Sequence, residues 1–381
     1  MTDDLRRTTP PAIVPLPYGS AYETPEDGEA ETIAECIDTL RGIAARVHAD
    51  EGHAYRSVHA KSHGLLRAEL EVLDGLPEPW AQGVFAHGGR RHPVVMRFST
   101  TPGDLLSDRV STPRGLALKL LGVDGERLPA EGPGAEGART QDFILVNGPV
   151  FNAPNARKFL SSLKLLAATT DRVPRLKTAL SAALRGAEKV VEAAGGESAT
   201  LQALGGHPMT DILGETFFSQ VPLLWGRYMA KLSVAPVSAG LRALTGAPVE
   251  NSPDHPFALR EAVVRHFAAQ GGEWELRAQL CTDIEAMPIE DATVLWPVER
   301  SPWVSVGRIV AAPQTGWSEA RSAAVDDGMA FNSWTGLAAH RPLGSIMRVR
   351  RAVYPASAAF RSQRNGQPVR EPGGIDAVDW D

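Results

Sequence analysis

A chain of 381 residues, 43% of them hydrophobic, is long enough for one large or two ordinary domains and can bury a sizeable core. Its 39 basic and 45 acidic residues leave a net charge of -6 with no basic run, which excludes nucleic acid as a partner. Cys36 and Cys281 are too few and too far apart for a disulfide framework or a thiolate metal site, and no stretch of about 18 apolar residues offers a membrane span; a soluble, cytoplasmic protein is expected.

Residues 1–30 are rich in Pro, Thr, Glu and Asp without periodicity and read as an extended arm. Between 31 and 50, Ile33, Cys36, Ile37, Leu40, Ile43 and Ala44 make a helical stripe. From 67 to 150 the pattern changes to short apolar runs between turn residues, "LEVLDGLP", "HPVVMRFSTTPG", "RGLALKLLGVDG" and "DFILVNGPVF", which read as strands around the flexible excursion "LPAEGPGAEGARTQ". Residues 155–245 are rich in alanine and leucine and are expected to be helical. A second strand-rich piece holds "WELRAQLCT" and "WVSVGRIVAAP". A helix with a loop after it is expected over 317–334, then a last helix in "LGSIMRVRRAVYPASAAFRSQRNG" that Pro355 bends or interrupts, then a tail at 366–381. Without repeat or linker, strands from both halves should share one sheet or barrel with helices outside it. The fold class is therefore α+β.

There is no GxGxxG, phosphate-loop lysine, HExxH or GxSxG motif. Three stretches carry polar groups suited to chemistry. In "RSVHAKSHG", His59 is either a structurally bonded loop residue or a proton-transfer group, and the second role needs a wall that keeps the imidazole neutral and oriented. "RFST" offers one if its strand runs alongside, through the hydroxyl of Ser99 or Thr100. In "DFILVNGPVF", Asn147 is a turn residue or a side chain projecting where a strand ends. Arg350 and Tyr354 lie at i and i+4, so a guanidinium can reach a phenol and favour its phenolate, or simply stack on it at a surface.

Together and in this order, "RSVHAKSHG", "RFST", "TPRGLALKL", "DFILVNGPVF", "VLWPVERSPWVSVGRIV" and "RRAVYPASAAFR" resemble the haem catalase family, over residues 45 to 361. The short length and "MAFNSWTGLAAHRPLGSIMRVRRAVY" resemble its smaller, catalase-related peroxidase branch. The resemblance implies an antiparallel β-barrel with surrounding helices and a haem buried between them, in one domain over 31–365. It implies Tyr354 as the axial ligand of ferric haem b. His59 is then the distal base that moves a proton from one peroxide oxygen to the other, Asn147 orients the peroxide, and cleavage leaves a ferryl species and water. Arg56, Arg97 and Arg361 match the arginines that pair with haem propionates. Val58, Ser99, Phe151, Phe159 and Arg350 match other residues of the haem pocket.

The sequence departs from the family at Ser62, where a glycine is usual, at Val-Asn-Gly-Pro, and at Ala358, Ala359 and Phe360, where basic residues are common. No region resembles the family's NADPH-binding segment, so that cofactor is expected to be absent. The implied substrates are hydrogen peroxide or organic hydroperoxides, with an organic electron donor as a further partner, in a homo-oligomer. Alternatives are a hydroperoxide isomerase or metabolite-tailoring enzyme, and a haem-binding protein without turnover. Related isomerases carry threonine before the distal histidine, so Val58 favours the catalase or peroxidase side.

Overall fold

In a computed structural model of the protein, the structure describes residues 13–169, 207–250, 252 and 254–381. Among the described residues nine strands are formed: β1 (Ser62–Val72), β2 (Arg91–Thr100), β3 (Arg114–Leu121), β4 (Thr140–Val146), β5 (Phe217–Phe218), β6 (Leu223–Trp225), β7 (Tyr228–Pro236), β8 (Gly272–Leu280) and β9 (Val304–Ala311). They follow one another in the order β5-β4-β3-β2-β1-β9-β8-β7-β6, all pairs antiparallel, and β5 also pairs with β7. That pairing closes an eight-stranded barrel, and β6 extends the β5 side along the same edge of β7. Closure leaves no free edge in the ring, which the two residues of β5 alone complete.

Alternation along the strands sets two faces. Leu66 and Leu70, Val94, Met96 and Phe98, Leu116, Leu118 and Leu120, and their counterparts on the other strands fill the barrel as one core. The intervening residues Leu65, Val95, Ala117 and Leu121 face outward, yet they too are buried, under Val325, Met329, Phe331, Val378 and Trp380. Strands β1 to β3 are therefore covered on both sides.

Helices stand outside the barrel: α1 (Glu29–Glu51), α2 (Ala156–Thr169), α3 (Ala239–Arg242), α4 (Ala258–Ala269), α5 (Glu319–Ser322) and α6 (Ser345–Asn365). A π turn, Ala323–Asp327, continues α5. Cys36 and Leu40 of α1, Ala156, Leu160 and Leu163 of α2, and Val349 and Val353 of α6 pack into a satellite core. Both cysteines are free and buried, and burial pushes each thiol up to about 11. Pro355 does not interrupt α6, which runs on to Asn365.

Two expectations need correction. The stretch 155–245 is not helical throughout: after α2 it holds β5, β6 and β7 before the short α3, and residues 170–206 lie outside the described residues. Trp225-Gly226-Arg227-Tyr228 makes a tight hairpin, with Gly226 at φ 61, and β8 supplies the ladder for β7. Leucine and alanine content had masked the strand alternation of Leu232 and Val234, and cross-strand pairing overrides helix propensity. The excursion between β3 and β4 is packed rather than free: its Gly132 and Gly134 lie against Pro355 and Val369.

The tail is bonded to the barrel. Lys119 and Asp142 face each other across β3 and β4, fully buried, with Nζ 2.8 Å from Asp142 Oδ1 and 2.6 Å from Glu371 Oε2 of the tail. Burial, and then Glu371, push the Asp142 carboxyl up against the pull of Lys119. Lys119→Met leaves two buried carboxylates around one lost cation and is expected to cost about 3–5 kcal/mol near neutral pH. A carboxyl with a raised folded pKa stabilises the fold below its unfolded pKa and loses that contribution as pH rises. The deficit should therefore narrow between pH 8 and pH 5 in denaturant titrations, and a deficit that widened on acidification would contradict this account.

Candidate functional site

The site lies on the outer face of β2 and β3. Ser99 and Gly115 are direct cross-strand neighbours there. Because Gly115 has no side chain, a flat space remains beside the Ser99 hydroxyl, and the His59 ring occupies it. A Cβ on Gly115 would stand 2.5 Å from His59 Nδ1 and 3.0 Å from Ser99 Oγ. His59 Nδ1 is 3.0 Å from Ser99 Oγ, one of the two hydroxyls, Ser99 or Thr100, that the sequence had offered, while Thr100 Oγ1 meets His63 Nε2 at 3.2 Å. Gly115→Ala should therefore evict the imidazole and cost about 1–3 kcal/mol through overpacking. Denaturant titration checks this, and unchanged stability would refute the placement.

The backbone at His59 is unusual. Its φ is 56°, a left-handed conformation that costs a residue with a Cβ roughly 1–2 kcal/mol. The turn is held from both sides: His59 N donates to Thr101 O at 2.8 Å and Ala60 N to Pro102 O at 3.0 Å. Arg97 Nη2 donates to the His59 carbonyl at 2.8 Å. Gly103 allows the approach, since a Cβ there would be 2.1 Å from Ser57 O. Burial, followed by the charges of Arg97, Arg350 and Arg56, pushes the His59 imidazole down from the usual 6.5 to about 3. It is a neutral base at physiological pH.

Tyr354 reaches the same place from α6. A cavity of about 50 Å³ is lined by Arg56, Val58, His59, Arg97, Ser99, Gly115, Leu116, Ala117, Ile144, Leu145, Phe331 and Tyr354. Its mostly apolar walls, with a few convergent polar groups, have the character of a small-molecule or cofactor site. The serine pair Ser57 and Ser357, 3.0 Å apart at their hydroxyls, ties α6 to the His59 turn. Arg350 shares the Tyr354 face of α6, and its guanidinium lies over the Phe151 ring at 5.6 Å and 3.9 Å from Met347 Sδ. Phe151 and Phe159 contact each other with centroids 5.4 Å apart and pack beside Ile346 and Met347.

Arg56, Arg97 and Arg361 converge on the π turn. Arg56 donates to Asp326 O at 2.7 Å and Met329 O at 3.0 Å, and Arg361 to Met329 O at 3.1 Å and to Asp326 O. Arg97 Nε donates to Asp326 Oδ1 at 2.6 Å. Burial and the two other cations push Arg56 well below its usual range. Burial would raise the Asp326 carboxyl, but Arg97 and Arg56 outweigh it and hold it at about 2.

The structure thus brings Arg56, Val58, His59, Arg97, Ser99 and Tyr354 to one cavity. Phe151, Phe159, Arg350, Arg361 and Asn147 stand outside its wall. Asn147 fastens β4 to β3: its Oδ1 accepts from Arg114 N at 2.8 Å, and its Nδ2 donates to His207 Nε2 at 2.7 Å. Both ends of the amide are engaged. Sequence reasoning missed Gly115, Asp326 and Phe331. For Gly115 the signal was a glycine alternating with the inward Leu116, Leu118 and Leu120; for Asp326 it was a pair of acids inside the otherwise apolar run "AAVDDGMAF".

No family model matches the sequence. Among solved structures, the chain is similar to a fungal catalase with a TM-score of 0.55 and 18% identity, covering 85% of this chain and 64% of that one. It is similar to catalase A from Saccharomyces cerevisiae with a TM-score of 0.56 and 17% identity, covering 88% and 67%. It is also similar to a bacterial catalase with a TM-score of 0.55 and 16% identity, covering 85% and 61%. The fold is catalase-like. At these identities the likeness is one of fold, and the chain spans between 61% and 67% of the length of the three catalases. Among the described residues, no helix is long and apolar enough to cross a membrane.

Proposed function

We propose that this chain is a haem-dependent oxidoreductase that consumes hydrogen peroxide or an organic hydroperoxide. The observation that carries this reading is a phenol and a neutral imidazole, Tyr354 and His59, on the wall of one largely apolar cavity. The residues suit a flat, dianionic macrocycle. Tyr354 offers an oxygen ligand for its iron, one of the axial ligand types of haem proteins. Val58, Leu116, Ala117, Ile144 and Phe331 offer apolar surface. Arg56, Arg97 and Arg361 offer three cations near the two carboxylates of Asp326 and Asp327, an excess of positive charge suited to propionates, and the buried Nε of Arg361 has no acceptor among the described residues.

When bound, haem supplies the redox-active iron at which the peroxide bond is cleaved. The chain supplies the proton movement. For His59 to accept a peroxide proton at Nε2, Nδ1 must carry the other hydrogen, and the Ser99 hydroxyl 3.0 Å away can accept it. His59 Nε2 then returns the proton to the departing oxygen. The apolar wall excludes water that would compete for that proton.

The test is reconstitution of the purified chain with ferric haem, with absorption spectra taken before and after hydrogen peroxide is added. A spectrum of tyrosinate type that returns to its starting form with oxygen evolution is the catalase outcome. Slow evolution with rapid oxidation of an organic dye is the peroxidase outcome. Failure to take up haem would overturn the proposal.

A further inference from the structure

Asp326 was assigned no role by the sequence, yet its carboxylate sits at the centre of the polar side of the site. Oδ1 accepts from Arg97 Nε at 2.6 Å and Arg56 Nη1 at 3.2 Å, while Oδ2 accepts from Ser62 Oγ at 2.6 Å and Ser322 Oγ at 2.8 Å. Four donors saturate the carboxylate and fix its plane. Arg97, itself 2% exposed, presents a different edge to the His59 turn, where Nη2 donates to the carbonyls of His59 at 2.8 Å and Ala60 at 3.3 Å. A continuous chain of charge-assisted bonds therefore runs from the π turn through one guanidinium to the backbone of the left-handed residue.

That backbone is what lays the imidazole on Gly115 and against Ser99. A residue with a Cβ leaves the left-handed region unless the surroundings hold it there. Arg97 can hold it only while its own guanidinium is fixed. A long side chain with several rotamers needs an anchor at the opposite edge, and Asp326 provides it. We propose that Asp326 is a positioning residue for His59, acting through Arg97 to keep the His59 turn in its left-handed conformation.

The consequence for turnover rests on the peroxide reading above; the positioning itself does not. It is tested on the full-length chain with ¹⁵N-labelled histidine, the His59 ring signals being identified by their loss in His59→Gln. The wild type should show one fixed neutral tautomer. Asp326→Asn should give averaged tautomer signals and ring N–H exchange with water at least about 10-fold faster. Ser322→Ala, which loosens the carboxylate without removing its charge, should give an intermediate change, and it decides the matter if Asp326→Asn does not fold. In the haem-loaded chain, Asp326→Asn should lower kcat about 10- to 100-fold, the range of outer residues that orient a functional one, and should add nothing in an Arg97→Gln background. Unchanged His59 signals in both Asp326→Asn and Ser322→Ala would overturn the proposal, as would an Asp326→Asn loss that persists in full when Arg97 is already gone. Shifted His59 signals in a chain whose wild type turns over no peroxide would instead uphold the positioning and remove the peroxide reading.

Discussion

His59→Gln is expected to lower peroxide turnover of the haem-loaded chain by about 100- to 10,000-fold, the usual contribution of a positioned proton-transfer group, with haem uptake unchanged. Glutamine keeps a polar side chain of similar reach but cannot accept and return a proton. His59 and Tyr354 line the cavity from different elements and the proposed oxygen ligand is Tyr354, so the loss should fall on turnover rather than on binding. The pH dependence sharpens the test. With its pKa pushed down to about 3, the imidazole is already the neutral base from pH 5 upward, so the wild type should show no acid limb near the ordinary 6.5 of histidine. Stopped-flow turnover from pH 5 to 9 in both proteins checks this. Full turnover in His59→Gln with haem bound would end the role assigned to it.

Tyr354→Phe should have the second large effect, on the bound state itself. The substitution keeps the ring that packs beside the satellite core of α1, α2 and α6, so stability should change by less than about 1.5 kcal/mol. It removes the phenol oxygen. Titration with ferric haem should then show weaker uptake and no tyrosinate features in the absorption spectrum. An unchanged spectrum would place the iron ligand elsewhere and remove the main support for the proposed function.

The elements legible in the sequence were those whose periodicity is set locally. The apolar stripe of α1, the alternation of β8 and the helix that carries Arg350, Tyr354 and Arg361 at i, i+4 and i+11 could be read from spacing alone. The part of 155–245 from residue 207 on was misread because its strands are short and rich in leucine and alanine, and only pairing with β8 and β4 makes them strands. A contact of His59 with Ser99 or Thr100 was anticipated from the hydroxyl pair at a strand end, and only the register of the strand decided for Ser99. The engagement of Asn147 with Arg114 and His207 was not, because His207 is 60 residues away.

By itself, the sequence determined the mixed strand and helix composition, the set of polar residues available for chemistry, and the absence of a long apolar span. The tertiary structure alone decided which of those residues meet. Gly115 matters because strand register sets it opposite Ser99, and Asp326 because a π turn carries it beneath two arginines from β2 and the His59 loop. Neither fact is a property of local sequence. Register and long-range charge pairing are settled by closing the barrel and burying its outer face, where a charge without a partner is too costly to keep.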